Sequence, residues 1–301
     1  MKVALVLNEG SGGALPAEAL DKVLAAFASA GCEVRRIGAV TGGGLRAAVQ
    51  EALSGEPDAV VVGGGDGTLG TAAGVLAGTG MPLGVLALGT FNHFAKDLGV
   101  PLDLDEAVRT IATGVRTPID VAEVNGRAFL NNSSLGIYPS IVRSRDQLRG
   151  RLRLVRGKLW TFAWAALTAL RRAPFLDVNL SLDGGFQRLR APFLFVGNNA
   201  YQMEGFRAGT RNGLRSGKLS VYMTLRRSRL RLVALGLRAL FGMLHQARDF
   251  EAREAHTLEV HSRHRFILVA TDGEVQAIET PLVYRMRPGA LIVLLPGAPK
   301  G

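Results

Sequence analysis

Apolar runs and helically spaced segments alternate along the first 120 residues of the chain. The runs Val3–Leu7, Glu33–Val40, Ala59–Val62 and Leu83–Leu88 read as strands. A helix is predicted from Pro16, a residue suited to the first helical turn, to about Ala30, with Gly31 as its stop. Further helices follow Thr41-Gly42-Gly43-Gly44 as far as about Leu53, cover the Ala-rich piece Thr71–Ala77, open after Gly89-Thr90-Phe91-Asn92-His93, and span Leu104 to about Thr113. Such alternation predicts a parallel sheet with right-handed crossovers, whose strand-to-helix loops all emerge at one edge.

After Asp120 the texture changes. Short strand-like runs dominate: Ala128–Asn131, Asp177–Leu182, Ala191–Val196, Leu219–Leu225, Thr257–His261, Phe266–Thr271, Leu282–Met286 and Ala290–Leu295. Turn signals at Asp183-Gly184-Gly185, Ser216-Gly217 and Asp272-Gly273 separate them, and the pattern predicts an antiparallel sandwich or barrel. The expected domains are therefore 1–121, an α/β nucleotide-binding unit, and 122–301, a β-sandwich with helical insertions. One insertion carries Leu148, Leu152, Val155, Leu159 and Phe162 at helical spacing, with Arg145, Arg149, Arg153 and Arg156 along a neighbouring stripe. The other runs from Leu230 to about His245, led by Arg226, Arg227, Arg229 and Arg231.

A length of 301 residues agrees with two domains. The single Cys32 excludes an internal disulfide and fits a reducing, cytoplasmic setting. Met1-Lys2 leads directly into the first apolar run with no cleavable leader pattern, and the uncharged stretch Leu159–Leu170 is well short of the ~20 residues a spanning helix needs. The net charge of +11 is unevenly spread: residues 1–135 hold 9 Lys/Arg against 14 Asp/Glu, and residues 136–301 hold 27 against 11. That asymmetry points the C-terminal part at an anionic partner, with a membrane surface favoured by the arginine-striped helices. Charge alone would also admit nucleic acid, but no aromatic–basic recognition motif accompanies it.

The densest chemistry lies in Val60-Val61-Val62-Gly63-Gly64-Gly65-Asp66-Gly67-Thr68-Leu69-Gly70. Strand, glycines and helix start are the parts of a phosphate cradle, in which backbone N–H groups and the helix N-terminus converge on an anion. Asp66 would repel a bare phosphate, so a divalent cation between them is implied. The loops at Asn8–Gly13, Thr41 and Gly89-Thr90 are expected at the same sheet edge. No Gly-x-Gly-x-x-Gly follows the first strand, which disfavours a nicotinamide oxidoreductase.

Together, Asn8-x-x-Ser11-Gly12, Gly64-Gly65-Asp66-Gly67-Thr68, Leu88-Gly89-Thr90-Phe91-Asn92-His93-Phe94-Ala95, Phe129-Leu130-Asn131, Asp272-Gly273-Glu274 and the tail Thr280-Pro281-Leu282…Arg287-Pro288-Gly289-Ala290-Leu291 resemble the bacterial diacylglycerol kinase-like lipid kinases, the family that also holds the sphingosine kinases. The resemblance covers essentially the whole chain. It implies an N-terminal α/β domain related to NAD kinases and phosphofructokinases, a C-terminal β-sandwich, ATP with Mg²⁺ as cofactors, and phosphorylation of a lipid hydroxyl. It carries nucleotide contacts onto Asn8, Ser11, Thr41, Gly64, Gly65, Asp66, Gly67, Thr68, Leu69, Gly70 and Thr90, with Asp66 meeting Mg²⁺ through water. The general base falls on Asp272 or Glu274; two apart in an extended chain, they would share a face.

Two departures stand out. Ser216-Gly217-Lys218-Leu219-Ser220 replaces the Asp-Gly-x-Leu-Asp of many relatives, so a structural Mg²⁺ site there is expected to be lost. His93 stands where relatives often carry Asp, which weakens any carboxylate network through Asp97 and Asp120; Glu9, in place of Pro, matters less. Acyl-chain contacts are expected from Leu135, Ile137, Tyr138, Trp160 and Phe206. A soluble NAD-kinase-type enzyme and a non-catalytic lipid or nucleotide sensor are the competing readings. The protein is expected in the cytoplasm or at the inner face of the membrane, as a monomer or a homodimer.

Overall fold

A computed structural model describes residues 1–8, 16–38, 42–136, 139, 176–202, 210–211, 213–223 and 251–297. Both arginine-striped segments, 145–164 and 226–245, lie outside the described residues, as do Ser11, Thr41, Ile137, Tyr138, Trp160 and Phe206. The chain divides into two compact units: 1–131 with 213–217 and 287–301, and 132–212 with 218–286.

In the first unit, strands and helices follow in the order β1 (Lys2–Leu7), α1 (Ala17–Ser29), β2 (Glu33–Arg36), a 3-10 turn (Gly42–Gly44), α2 (Leu45–Ser54), β3 (Ala59–Gly64), α3 (Asp66–Leu76), β4 (Pro82–Ala87), α4 (His93–Asp97), α5 (Leu104–Thr113), β5 (Val115–Val124) and β6 (Arg127–Phe129). Strands β2, β1, β3 and β4 pair in that order, all parallel. Side chains alternate across the sheet because the strand period is two. Ala4, Val6, Val60, Val62, Leu83 and Val85 therefore pack with Val49 and Ala52 of α2 and Leu69, Ala73 and Leu76 of α3. Val3, Leu5, Leu7, Ala59, Val61 and Leu86 take the other side, with Val23 and Phe27 of α1 and Val108 and Ile111 of α5. Every residue of β3 is buried. A strand packed on both faces has no polar side to mark, hence the unbroken Ala-Val-Val-Val run.

The second unit contains β7 (Asn132–Gly136), β8 (Leu176–Leu182), β9 (Gly185–Ala191), β10 (Phe193–Asn198), the short pair β11 (Tyr201–Gln202) and β12 (Thr210–Arg211), β13 (Leu219–Met223), β14 (Glu251–Ala255), β15 (Thr257–Ser262), β16 (Phe266–Thr271) and β17 (Glu274–Glu279). The last strand, β18 (Leu282–Leu295), contributes its first five residues to this unit. From Arg287 onward it belongs to the first unit, where Ile292 and Val293 run parallel to Pro82 and Leu83 of β4. One sheet of the second unit is antiparallel, in the order β14-β13-β10-β7-β16-β17. A second antiparallel set joins the start of β18 to β15, β8 and β9. Tyr284 of β18 and Ser133 of β7, both buried, share a hydrogen bond of 3.0 Å between hydroxyls. Burial pushes the Tyr284 phenol far up its range, and the Ser133 contact offsets only part of that.

Several boundaries differ from the sequence reading for physical reasons. Helix α3 starts at Asp66 rather than Thr71, because an acid in the first turn suits the positive end of the helix even among glycines. Strand β5 contains Pro118, which argues against a strand in sequence. Strand β14, Glu-Ala-Arg-Glu-Ala, ends its sheet, where charged residues guard an edge. The two late runs merge into β18, which passes Gly289 at φ +59.

Candidate functional site

At the carboxyl end of the first unit's parallel strands, three loops meet. Asn8, just past β1, donates from its backbone to the Gly63 carbonyl at 3.0 Å. Its side-chain amide donates to the Thr68 hydroxyl at 2.8 Å, so the first loop is tied to the first turn of α3. Between β3 and α3 there is one residue, Gly65, in extended conformation. The first helical bond of α3 runs from Leu69 N–H to the Gly65 carbonyl. The N–H groups before it lie in the first turn, where an α-helix supplies no partner, and Gly65 offers no side-chain cap.

The glycines here serve packing as well as access. A Cβ on Gly89 would sit 2.6 Å from the Gly65 Cα, so these two backbones touch directly. A Cβ on Gly64 would fall 2.5 Å from the Thr68 side chain. On Gly65 the nearest atom would be no closer than 3.4 Å, so that position has room for a methyl group.

Asp66 does something its motif does not announce. Its carboxylate accepts the Phe94 N–H at 2.9 Å and the His93 N–H at 3.2 Å, pinning the start of α4 to the start of α3. Asn92, buried and left-handed at φ +51, clamps the intervening loop: its Oδ1 accepts the Gly89 N–H and its Nδ2 donates to the Gly89 carbonyl, both at 2.9 Å. Thr90 and His93 are exposed, and the Phe91 and His93 rings stack with centroids 5.6 Å apart. The Leu-Gly-Thr-x-Asn motif was legible, but the Asn92 clamp was not; only a left-handed asparagine before a helix would have hinted at it.

Asp120 is a second acid of the first unit that ties distant segments together. It is buried, accepts the Gly217 N–H at 2.7 Å and the Gly289 N–H at 2.9 Å, and donates its own N–H to the Leu214 carbonyl at 2.8 Å. Segment 213–217 and the Arg287-Pro288-Gly289 tail are thus fastened by one carboxylate. Lys218 turns to Glu254 at 3.3 Å. Arg287 donates to the Ala77 carbonyl at 3.3 Å, just past the end of α3, and pairs with Glu123 at 3.8 Å. Among the described residues no three His, Cys, Asp or Glu side chains gather as a metal site.

In the second unit, Asp272 and Gly273 form the two-residue turn between β16 and β17, with φ of +48 and +89. The expectation that Asp272 and Glu274 share a face of an extended chain is corrected here. A left-handed aspartate rotates its side chain out of the strand's alternation, while Glu274 begins β17 opposite Thr271. Asp272 is fixed by exchange with Asn132: its N–H reaches the Asn132 carbonyl at 2.9 Å, and its Oδ1 accepts the Asn132 N–H at 3.1 Å. Glu274 is exposed. Leu135, three residues beyond Asn132, is buried in the same strand. Nothing in the sequence links Asn132 to a residue 140 positions away.

The profile of the diacylglycerol kinase catalytic domain matches residues 2–124. That of the YegS C-terminal NAD kinase beta sandwich-like domain matches residues 142–295. The chain is 35% identical over 133 residues to the diacylglycerol kinase of Bacillus subtilis, a stretch covering 43% of this chain and 44% of that one. It is 40% identical over 148 residues to a protein of Pseudomonas aeruginosa named "Probable lipid kinase YegS-like", covering 48% of each. The aligned stretches thus span about half the length of these relatives. The crystal structure of a diacylglycerol kinase from Bacillus anthracis superposes with a TM-score of 0.66 at 20% identity, covering 98% of this chain and 96% of that one.

Proposed function

The chain belongs to the diacylglycerol kinase family, with a catalytic domain of that type and a YegS-type C-terminal domain, and from this premise we propose that it transfers the γ-phosphoryl group of ATP to a hydroxyl of a diacylglycerol-like or long-chain-base lipid. One observation carries the reading: the open first turn of α3 is framed by Asn8, Thr68, Gly65 and the Gly89 loop, with a single anchored carboxylate, Asp66, at its rim. Peptide N–H groups there suit phosphate oxygens. Phosphoryl transfer depends chiefly on positioning and charge neutralisation, so little else is needed on the nucleotide side.

Gly64 through Gly70, Asn8 and Thr90 hold the nucleotide in this account, with Ser11 and Thr41 assigned by family resemblance. Mg²⁺ bound with ATP would neutralise phosphate charge. Asp66 is suited to the ion's hydration shell, since both its oxygens already accept a peptide N–H. Asp272 orients the acceptor hydroxyl and takes its proton, because its carboxylate is held in place by Asn132 whereas Glu274 is an exposed strand residue. The Ser216–Ser220 segment works without a structural cation: Asp120 is answered by two peptide N–H groups, and Lys218 stands in the motif as a cation already paired with Glu254.

The test is phosphorylation of a lipid panel in mixed micelles with labelled ATP, with NAD as a control acceptor. Label in a diacylglycerol or long-chain base supports the proposal. Label in NAD alone favours a small-molecule kinase, and ATP binding without turnover on any acceptor favours a sensor.

A further inference from the structure

The second unit carries a surface that the phosphoryl-transfer chemistry leaves unused. On β8, Val178 and Leu180 are buried while Asp177 and Asn179 are exposed; on β9, Leu189 and Ala191 are buried while Phe186, Arg188 and Arg190 are exposed. The register sets Arg190 opposite Asp177, Arg188 opposite Asn179 and His261, and Phe186 opposite Ser181 and Glu259. Further along the same face Arg285 lies opposite Thr257. Phe186 follows the Asp183-Gly184 turn at the tip of the hairpin and is 80% exposed, the most exposed large apolar side chain among the described residues. Beside it a shallow hollow of about 350 Å³ is lined by Phe186, Arg188, Asn179 and His261.

Arg190 stands opposite Asp177, and Arg263 follows Ser262, which pairs with Val178. Hydrogen bonds from Arg188 hold the Asp177 carboxyl below its usual range, and the charges of Arg263 and Arg190 lower it further. Arg188 is occupied by Asp177, whereas Arg190 and Arg263 make no ion pair among the described residues. An exposed aromatic at a hairpin tip, with unpaired guanidinium groups farther along the same hairpin and its neighbour strand, joins the two signals that hold a protein at a bilayer surface: an apolar wedge and attraction to anionic headgroups. Guanidinium also suits phosphate through its paired donors.

We propose that the outer face of β8, β9 and β15 docks on an anionic phospholipid bilayer, with Phe186 entering the headgroup layer and Arg190 and Arg263 binding lipid phosphates. This rests on the lipid-kinase reading, because an acceptor with long acyl chains resides in such a bilayer. No helix among the described residues is long and apolar enough to cross one.

The test uses the full chain and co-sedimentation with vesicles of phosphatidylcholine alone or mixed with phosphatidylglycerol. Wild type should bind the mixed vesicles, lose affinity as salt rises, and bind pure phosphatidylcholine weakly. Arg190→Ala with Arg263→Ala should weaken binding about fivefold per arginine removed, and Phe186→Ser should weaken it further. Phosphorylation of a short-chain, monomerically soluble diacylglycerol should be unchanged in these variants. Vesicle binding equal to wild type overturns the docking face and leaves the kinase reading standing. Wild type that binds vesicles through this face yet phosphorylates no lipid overturns the kinase reading instead. Loss of duplex DNA binding, or of a concentration-dependent dimer, in the variants with vesicle binding intact assigns the face to those partners and overturns the proposal.

Discussion

Asp66 carries two burdens, and substitution can separate them. Its carboxylate accepts two peptide N–H groups from α4, and its charge is what the nucleotide side of the account needs. Asp66→Asn keeps one acceptor oxygen and should cost about 1 kcal/mol of stability, within the usual range for one lost hydrogen bond, while abolishing phosphoryl transfer. Thermal unfolding and turnover measured on the same preparation check this; undiminished turnover would remove Asp66 from the mechanism. The glycines give a second contrast. Gly89→Ala would drive a methyl group to 2.6 Å from the Gly65 Cα and should destabilise the unit by roughly 1–3 kcal/mol. Gly65→Ala has room and an ordinary extended backbone, so it should fold like wild type yet bind ATP at least tenfold more weakly, as a methyl group now faces the phosphate site. Calorimetric ATP titration of the two variants decides; normal ATP affinity in Gly65→Ala would mean that the loop glycines serve packing alone.

Among the elements, the β8–β9 hairpin has its own pH response. The Asp183 carboxyl pays a burial cost, yet the Thr257 and His256 N–H groups and the Thr257 hydroxyl hold it below its ordinary value of 3.8. A depressed folded value means that the stabilisation is present above the unfolded pKa and lost as pH falls through the folded one. Asp183→Asn should therefore be less stable than wild type at neutral pH, and the gap should narrow as pH falls below about 5 and close once it has passed through the folded value. Melting curves across that range check it, and a gap that stays constant would contradict it. The turn itself was legible as Asp-Gly, but its anchor was not, because the partners lie 73 and 74 residues away. Legibility followed the same rule elsewhere. Strands with two buried faces or a clean alternation, such as β3 and β8, announced themselves. Strand β5 hid behind Pro118, and β14 behind the charges of an edge. Asp272 misled for a related reason: spacing of two implies a shared face only in extended backbone, and this aspartate is left-handed.

For the molecule as a whole, the sequence delivered the two-part architecture and the family, since both rest on local runs and contiguous motifs. It did not deliver the long-range fastenings, Asp120 to Gly217 and Gly289 or Asn132 to Asp272, because a hydrogen bond between distant residues leaves no local trace. These fastenings bear on metal dependence. With Asp120 satisfied by the Gly217 and Gly289 N–H groups, chelation should abolish turnover, through loss of the Mg²⁺ that accompanies ATP, yet leave the melting temperature unchanged. A fall of several degrees on adding EDTA would reveal a structural cation after all.

The measurement that bears most directly on the kinase assignment is transfer of label from γ-labelled ATP into extracted lipid, comparing wild type with Asp66→Asn and Asp272→Asn. Wild type should yield labelled lipid, and each variant at least about a hundredfold less while its fold is intact. Equal label from all three proteins, or no label in any lipid with wild type, would contradict that assignment.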